Sequence, residues 1–239
     1  MAGKFLRGAF VEFLPTMLIP IPNIIIFQFN PETITHTWTP AHAATGGTSG
    51  GASGAENNPL AVSGTPGEAF SFSLAMDSND MIADGSPIAE GLATASGIYT
   101  RLAALEMLLY PTGSSGLDAL VGAVSSALGG GGASDVKRDV PASQLPTVLF
   151  VWGPGRILPV KVTSLTITEK LYDPILLNPV HADAQIGLQV LTPEELKFVT
   201  GPLADLANIA YTFNQGLREA LAIANLANAV ESAIGMLPV

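Results

Sequence analysis

The alternation Ala69-Phe70-Ser71-Phe72-Ser73-Leu74-Ala75-Met76 puts Phe70, Phe72, Leu74 and Met76 on one side and small residues on the other, which predicts a half-buried strand. Upstream, Ile24-Ile25-Ile26-Phe27-Gln28-Phe29 is β-branched and aromatic, bounded by Pro22-Asn23 and Asn30-Pro31, and predicts a second strand. After the Asn30-Pro31-Glu32 turn, Thr33, Thr35 and Thr37 alternate with Ile34, His36 and Trp38, so one face is rich in hydroxyls. Together the two segments read as a hairpin or as a strand with a corner.

The period changes from Ser96 to Tyr110. There Ile98, Leu102, Leu105, Leu108 and Leu109 share a helical face, and Pro111 ends it. Leu117 to Leu128 is a weaker helical candidate closed by Gly129-Gly130-Gly131-Gly132. Thr147 to Trp152 predicts a strand. Arg156 to Leu171 alternates over a long distance with an irregularity expected near Pro159, and His181 to Leu191 returns after a turn at Tyr172 to Asn178. The expected core is therefore mainly β with α, an antiparallel sheet or barrel with one helix against it.

Thr192-Pro193-Glu194-Glu195 suits a helix start, where carboxylates complement the dipole. Leu203 to Ile234 then keeps helical spacing without proline; Gly216 is a place where it would break in two. The organisation expected is an N-terminal arm at 1–20, a β domain at 21–195 and a C-terminal helical extension at 196–239. Stretches 40–67 and 112–146, rich in Gly, Ser and Ala, read as loop insertions.

Composition sharpens this picture. The chain has 239 residues, ten Lys+Arg against twenty Asp+Glu, a net charge of −10, and no cysteine. Scattered bases on an acidic chain argue against nucleic acid, and the absence of cysteine removes disulfides, thiolate zinc sites and thiol nucleophiles. Charged residues are only 13% while hydrophobic ones reach 48%, with a mean hydropathy of +0.41. Globular chains usually carry about 25% charged residues. Pro20, Pro22 and Asn23 interrupt the richest early apolar run, so neither a signal peptide nor a spanning helix is expected. Asp205, Asn208, Asn214, Arg218 and Glu219 likewise recur too often in the C-terminal segment for a span, which leaves membrane contact there a disfavoured reading. The surplus of apolar surface points to covering by other subunits.

Catalytic patterns are sparse. His36, His42 and His181 lack a second histidine at i+3 or i+4, no glycine run has a phosphate-loop pattern, and no G-x-S-x-G elbow occurs. A metal shared by His36 and His181 would need neighbouring strands. Asp77, Asp80 and Asp84 miss the EF-hand spacing and read as turn carboxylates. No enzyme and no cofactor is expected.

Three segments carry a resemblance. They are Phe27-Gln28-Phe29-Asn30-Pro31-Glu32, then Gly64-Thr65-Pro66-Gly67-Glu68-Ala69-Phe70-Ser71-Phe72, and Val151-Trp152-Gly153 running through Leu165, Glu169 and Asp173 to Asn178-Pro179-Val180-His181-Ala182. In order and spacing they resemble the tube-like proteins of phage-derived contractile injection systems, over about residues 20 to 195. That family often carries Arg where His181 stands. Many of its adaptor members carry a LysM module, where this chain has an apolar helical segment.

The resemblance implies a tail-tube-type barrel or sandwich with a flanking helix, whose sheet joins its neighbours' in a six-fold ring of copies. It implies partners in the inner tube protein, the spike and other baseplate subunits, and assembly in the cytoplasm within a phage-tail-like particle that is released or membrane-associated. The long insertions favour a baseplate hub or tube initiator over the repeating inner-tube subunit. The assembly-interface candidates are Gln28, Asn30, Pro31, Glu32, Trp152, Asn178, His181 and Phe213. A different reading, a small-ligand-binding β-barrel, would have Trp38, Phe70 and Phe72 line a cavity.

Overall fold

The computed structural model describes residues 6–13, 22–41, 64–83, 87–110, 145–199 and 203–235. The helix expected at 117–128 and most of the two insertions lie outside these residues. Strands β1 (Ala9–Phe13), β2 (Pro22–Ile26), β3 (Ile34–Thr39), β4 (Gly67–Asp77), β5 (Val148–Val151), β6 (Ile157–Tyr172) and β7 (Pro179–Val190) form one antiparallel sheet in the order β2-β1-β5-β6-β7-β4-β3. The chain is thus mainly antiparallel β with helices, as its alternating pattern predicts.

The order is open. β2 and β3 are its two ends, so they are not a hairpin; the chain turns at Asn30 to Glu32 and crosses to the opposite edge. The segment expected as an arm contributes β1, which sits between β2 and β5. Its five residues are too few for alternation to stand out.

The sheet is strongly coiled. Flat strands four places apart would lie about 19 Å from each other. The rings of Phe10 on β1 and Phe72 on β4, four places apart in the order, are nevertheless 6.3 Å apart. Phe27, Phe70 and Phe150 complete the cluster, with Phe10–Phe27 centroids at 5.0 Å and Phe72–Phe150 at 5.5 Å. On β4 the four residues assigned to one face, Phe70, Phe72, Leu74 and Met76, are all buried in this core. Phe70 and Phe72 are packed among rings.

Helices α1 (Ser78–Ala83), α2 (Pro87–Ser96) and α3 (Tyr99–Met107) follow β4. The acidic stretch expected as a turn is therefore partly helical, with Asp80 inside α1. Ile98, Leu102, Leu105 and Leu108 close the interior, as their spacing predicts. Gly97 ends α2 with φ +58° and its N–H on the Ala93 carbonyl, a left-handed cap. A Cβ there would collide with the Pro179 carbonyl oxygen, so the helix pair can approach β7 only through glycine.

The irregularity of β6 falls at Val162/Ser164, not at Pro159. It lies beside Gly187 of β7, where a Cβ would run into the Ser164 hydroxyl. Pro159 stays within the strand and accepts the Leu191 N–H on its carbonyl.

Helix α4 (Pro193–Leu196) opens with a capping box: the Thr192 hydroxyl accepts from the Glu195 N–H, and the Glu195 carboxylate accepts from the Thr192 N–H. Burial alone would raise the Glu195 carboxyl, but the Thr192 backbone and Lys161 at 3.0 Å bring it below the usual carboxylate range. Helix α5 (Leu203–Gly235) continues through Gly216 without a break and is about 50 Å long. Ala207 and Ala210 let it lie close to α4 and to the outer side of β1, β5 and β6.

Candidate functional site

The Gln28 to Glu32 corner is a joint. Gln28 is buried; its Nε2 donates to the Asp77 carbonyl at 2.7 Å and its Oε1 accepts the Asp77 N–H at 3.0 Å. One side-chain amide thereby takes the place of a neighbouring strand at the end of β4. Asn30 accepts the Gly8 N–H at 2.9 Å and donates to the Leu6 carbonyl at 2.8 Å. Gly8 is tight against the Phe27 and Trp152 rings, where a Cβ would come within 2.7 Å. Asn30 and Trp152 thus meet at Gly8. Pro31 is half-buried and Glu32 exposed on the outside of the corner.

Asp77 also leads to His181, whose Nδ1 is 3.5 Å from its carboxylate; Asp183, paired with Lys170, lies 3.7 Å from the other ring nitrogen. Asn178 donates to the Ala95 carbonyl and ties the start of β7 to α2. Gln28 and His181 are therefore joined through Asp77. Phe213 stands apart on the exposed side of α5. His36 and His181 lie on β3 and β7, which β4 separates, so they do not share a site. Among the described residues no group of three or more metal-ligating side chains occurs.

Sequence reasoning missed a buried ionic joint. Glu68, 4% exposed, accepts from Arg218 of α5 and lies 2.7 Å from His36 Nε2. The Arg218 guanidinium sits 4.6 Å over the Trp38 ring, and His36 stacks on Phe70 at 4.2 Å. A glutamate at the head of the inward face that continues as Phe70, Phe72, Leu74 and Met76 was the available signal. Beside this joint Trp38, Thr65, Glu68, Tyr211 and Arg218 line a cleft of about 120 Å³. Ligand sites for drug-sized molecules run roughly 300–1,000 Å³.

Two further features are apolar and exposed. Ile24 and Ile26 of β2 are each 52% exposed on the outer side of an edge strand. The β6–β7 turn presents Leu171, Tyr172, Ile175, Leu176 and Leu177 to solvent. Leu171 and Leu177 have φ of 55° and 57°, a left-handed conformation costing an L-residue about 1–2 kcal/mol. Among the described residues no helix is long and apolar enough to cross a membrane. No family model matches the chain, and no curated protein matches it.

Proposed function

We propose that this chain is a structural, non-enzymatic subunit of a contractile injection system, forming a baseplate hub ring that joins the inner tube to the spike. The observation that carries the reading is the pair of sheet ends. No described strand pairs with the outer edge of β2 or of β3, and β2 adds two exposed isoleucines. Such edges template pairing with another chain. When each copy offers β3 to the β2 of the next, the contact is heterologous and closes as a ring.

The tail-tube type of fold belongs to the same proposal. The coiled sheet supports it, as does the placement of the resembling segments, which serve as joints: Gln28 locks β4, Asn30 pins the chain before β1, and Gly67 to Phe72 is the strand paired with β3. The proposed partners are copies of the chain, the inner tube protein, the spike and other baseplate subunits, in a particle assembled in the cytoplasm. The C-terminal extension favours a hub over a repeating tube subunit, because every residue of α5 from Glu219 to Leu226 is exposed.

The test is co-expression with the sheath, tube and spike proteins of a contractile injection system, with this subunit labelled for electron microscopy. A label confined to the tube–spike junction is expected. A label along the whole tube overturns the hub in favour of the repeating subunit, and particles without label overturn both.

A further inference from the structure

We propose that the outward face of α5 is a coiled-coil seam that pairs, antiparallel, with the same seam on a second copy. The contact is separate from the sheet edges, and it rests on the assembly reading only in that those edges gather the copies it joins.

α5 has two apolar faces. Toward its own sheet it buries Ala207, Ala210 and Asn214, and Arg218 ties it to Glu68. Leu206, Ile209, Phe213, Gly216, Ala220 and Ile223 follow one another at alternating spacings of three and four, and all six are exposed. At 3.6 residues per turn these two rows lie on opposite sides of the helix. Ile209 is 63% and Ile223 67% exposed, so the chain's own fold covers neither. A strict three-four repeat has a period of 3.5, which is that of a helix packed along another helix.

Gly216 points the same way. A glycine inside a helix weakens it. Nothing within the chain asks for one here, since α5 runs through it unbroken and an added Cβ would meet no atom within 4 Å. The space it leaves is open to a neighbour.

Side-chain size selects the occupant and its direction. Leu206, Ile209 and Phe213 are large, whereas Gly216 and Ala220 are small. A second α5 running the other way sets Phe213 against Gly216, Ile209 against Ala220 and Leu206 against Ile223, so large meets small at the centre. Running the same way, Phe213 would meet Phe213 and Gly216 would meet Gly216, a clash beside a void. Charge allows the antiparallel pair. Of the positions flanking the row, Asp205 and Glu219 are ionic, and they fall beside Leu226 and Thr212 of the second copy. A chain of net charge −10 thus meets itself here without facing carboxylates. A lipid surface would call for Lys or Arg on the same flanks.

The row offers on the order of 500 Å² on each copy, less in all than the roughly 1,200–2,000 Å² of contacts that stand alone. Lone chains therefore stay apart. Copies held at their sheet edges raise the local concentration of α5, and the helices then pair.

The chain has no cysteine, so introduced ones report unambiguously. Leu206→Cys and Ile223→Cys copies carrying different tags are co-expressed, purified and treated with a short bis-maleimide. The two positions lie about 26 Å apart along one helix, so antiparallel neighbours are what brings them together. The expected product is a linked pair carrying both tags, with neither variant linked to itself. Gly216→Phe should abolish the link while keeping native circular dichroism, because the space around Gly216 is open, and adding Phe213→Ala to it should restore the link. Linking of either variant to itself, or a link that survives Gly216→Phe, overturns the proposal. No link in a sample whose native mass shows a closed oligomer overturns the seam and leaves the ring, whereas no link in a monomeric sample sinks both. Co-flotation with phosphatidylcholine vesicles that Phe213→Asp abolishes, without a link, overturns it in favour of lipid.

Discussion

Gln28 and Asp77 lie 49 residues apart in sequence and hold each other by two hydrogen bonds, side-chain amide to backbone amide, at 2.7 and 3.0 Å. β3 pairs with β4 only from Gly67 to Phe72, so Gln28 supplies what the missing strand length would have supplied. Gln28→Ala is expected to cost about 1–3 kcal/mol in urea unfolding, from two bonds lost at a buried side chain. Gln28→Glu should not rescue it. A carboxylate has no donor for the Asp77 carbonyl and faces the Asp80 carboxylate, which is 3.5 Å from the Gln28 amide nitrogen. An Ala variant as stable as the parent contradicts this role.

Two glycines of neighbouring context make opposite predictions. Gly97→Ala meets both a positive φ and the Pro179 carbonyl, so a loss above about 2 kcal/mol is expected. Gly91, inside α2, has open space around it; Gly91→Ala should stabilise by about 0.5–1 kcal/mol. Thermal melts of the pair check both signs.

Much of this fold is legible in the chain because strict alternation has a single structural solution. Phe70 to Met76 and the β6–β7 pair sit where the period of two puts them. Strand β1 escapes the same logic, since Ala9 to Phe13 is short and its burial comes from strands far along the sequence. Gly216 shows the opposite failure, a local breaker overruled by the packing of Ala207, Ala210 and Asn214 in the turns before it. The joints are less legible than the strands. Gln28 and Asn30 stand out in the sequence, but their partners Asp77 and Gly8 are fixed only by the coiling of the sheet. Arg218 had no sequence partner at all, because Glu68 lies 150 residues away.

Two carboxyls should give stability opposite pH dependences. Burial raises the Glu12 carboxyl above its ordinary 4.5, partly offset by the Asn23 amide. Its ionisation therefore opposes folding, and this contribution improves as pH falls through the raised value. Glu12→Gln is expected to raise the melting temperature at pH 7 and to lose that advantage below about pH 4. Glu195 is lowered, so its contribution is present above 4.5 and lost as pH falls through its folded value. Glu195→Gln should destabilise at pH 7 and converge with the parent in acid. Melts from pH 3 to 7 that move both variants the same way contradict these assignments.

The Arg218–Glu68 contact is the ionic tie between α5 and the β3–β4 hairpin. A double-mutant cycle with Arg218→Ala and Glu68→Gln should return a coupling of about 1–3 kcal/mol. Arg218→Ala should also speed amide exchange in α5 around Gln215 to Ala220. Arg218→Lys is expected to restore only part of the effect, because an ammonium lacks the planar face that lies over Trp38. Coupling near zero contradicts the tie.

The central claim is that neighbouring copies complete this sheet, and the native mass of the purified chain tests it most directly. A discrete closed oligomer is predicted, falling to monomer when Ile24 and Ile26 are both changed to Lys on the β2 edge. A single monomeric species that persists at high concentration, unchanged by those substitutions, contradicts it.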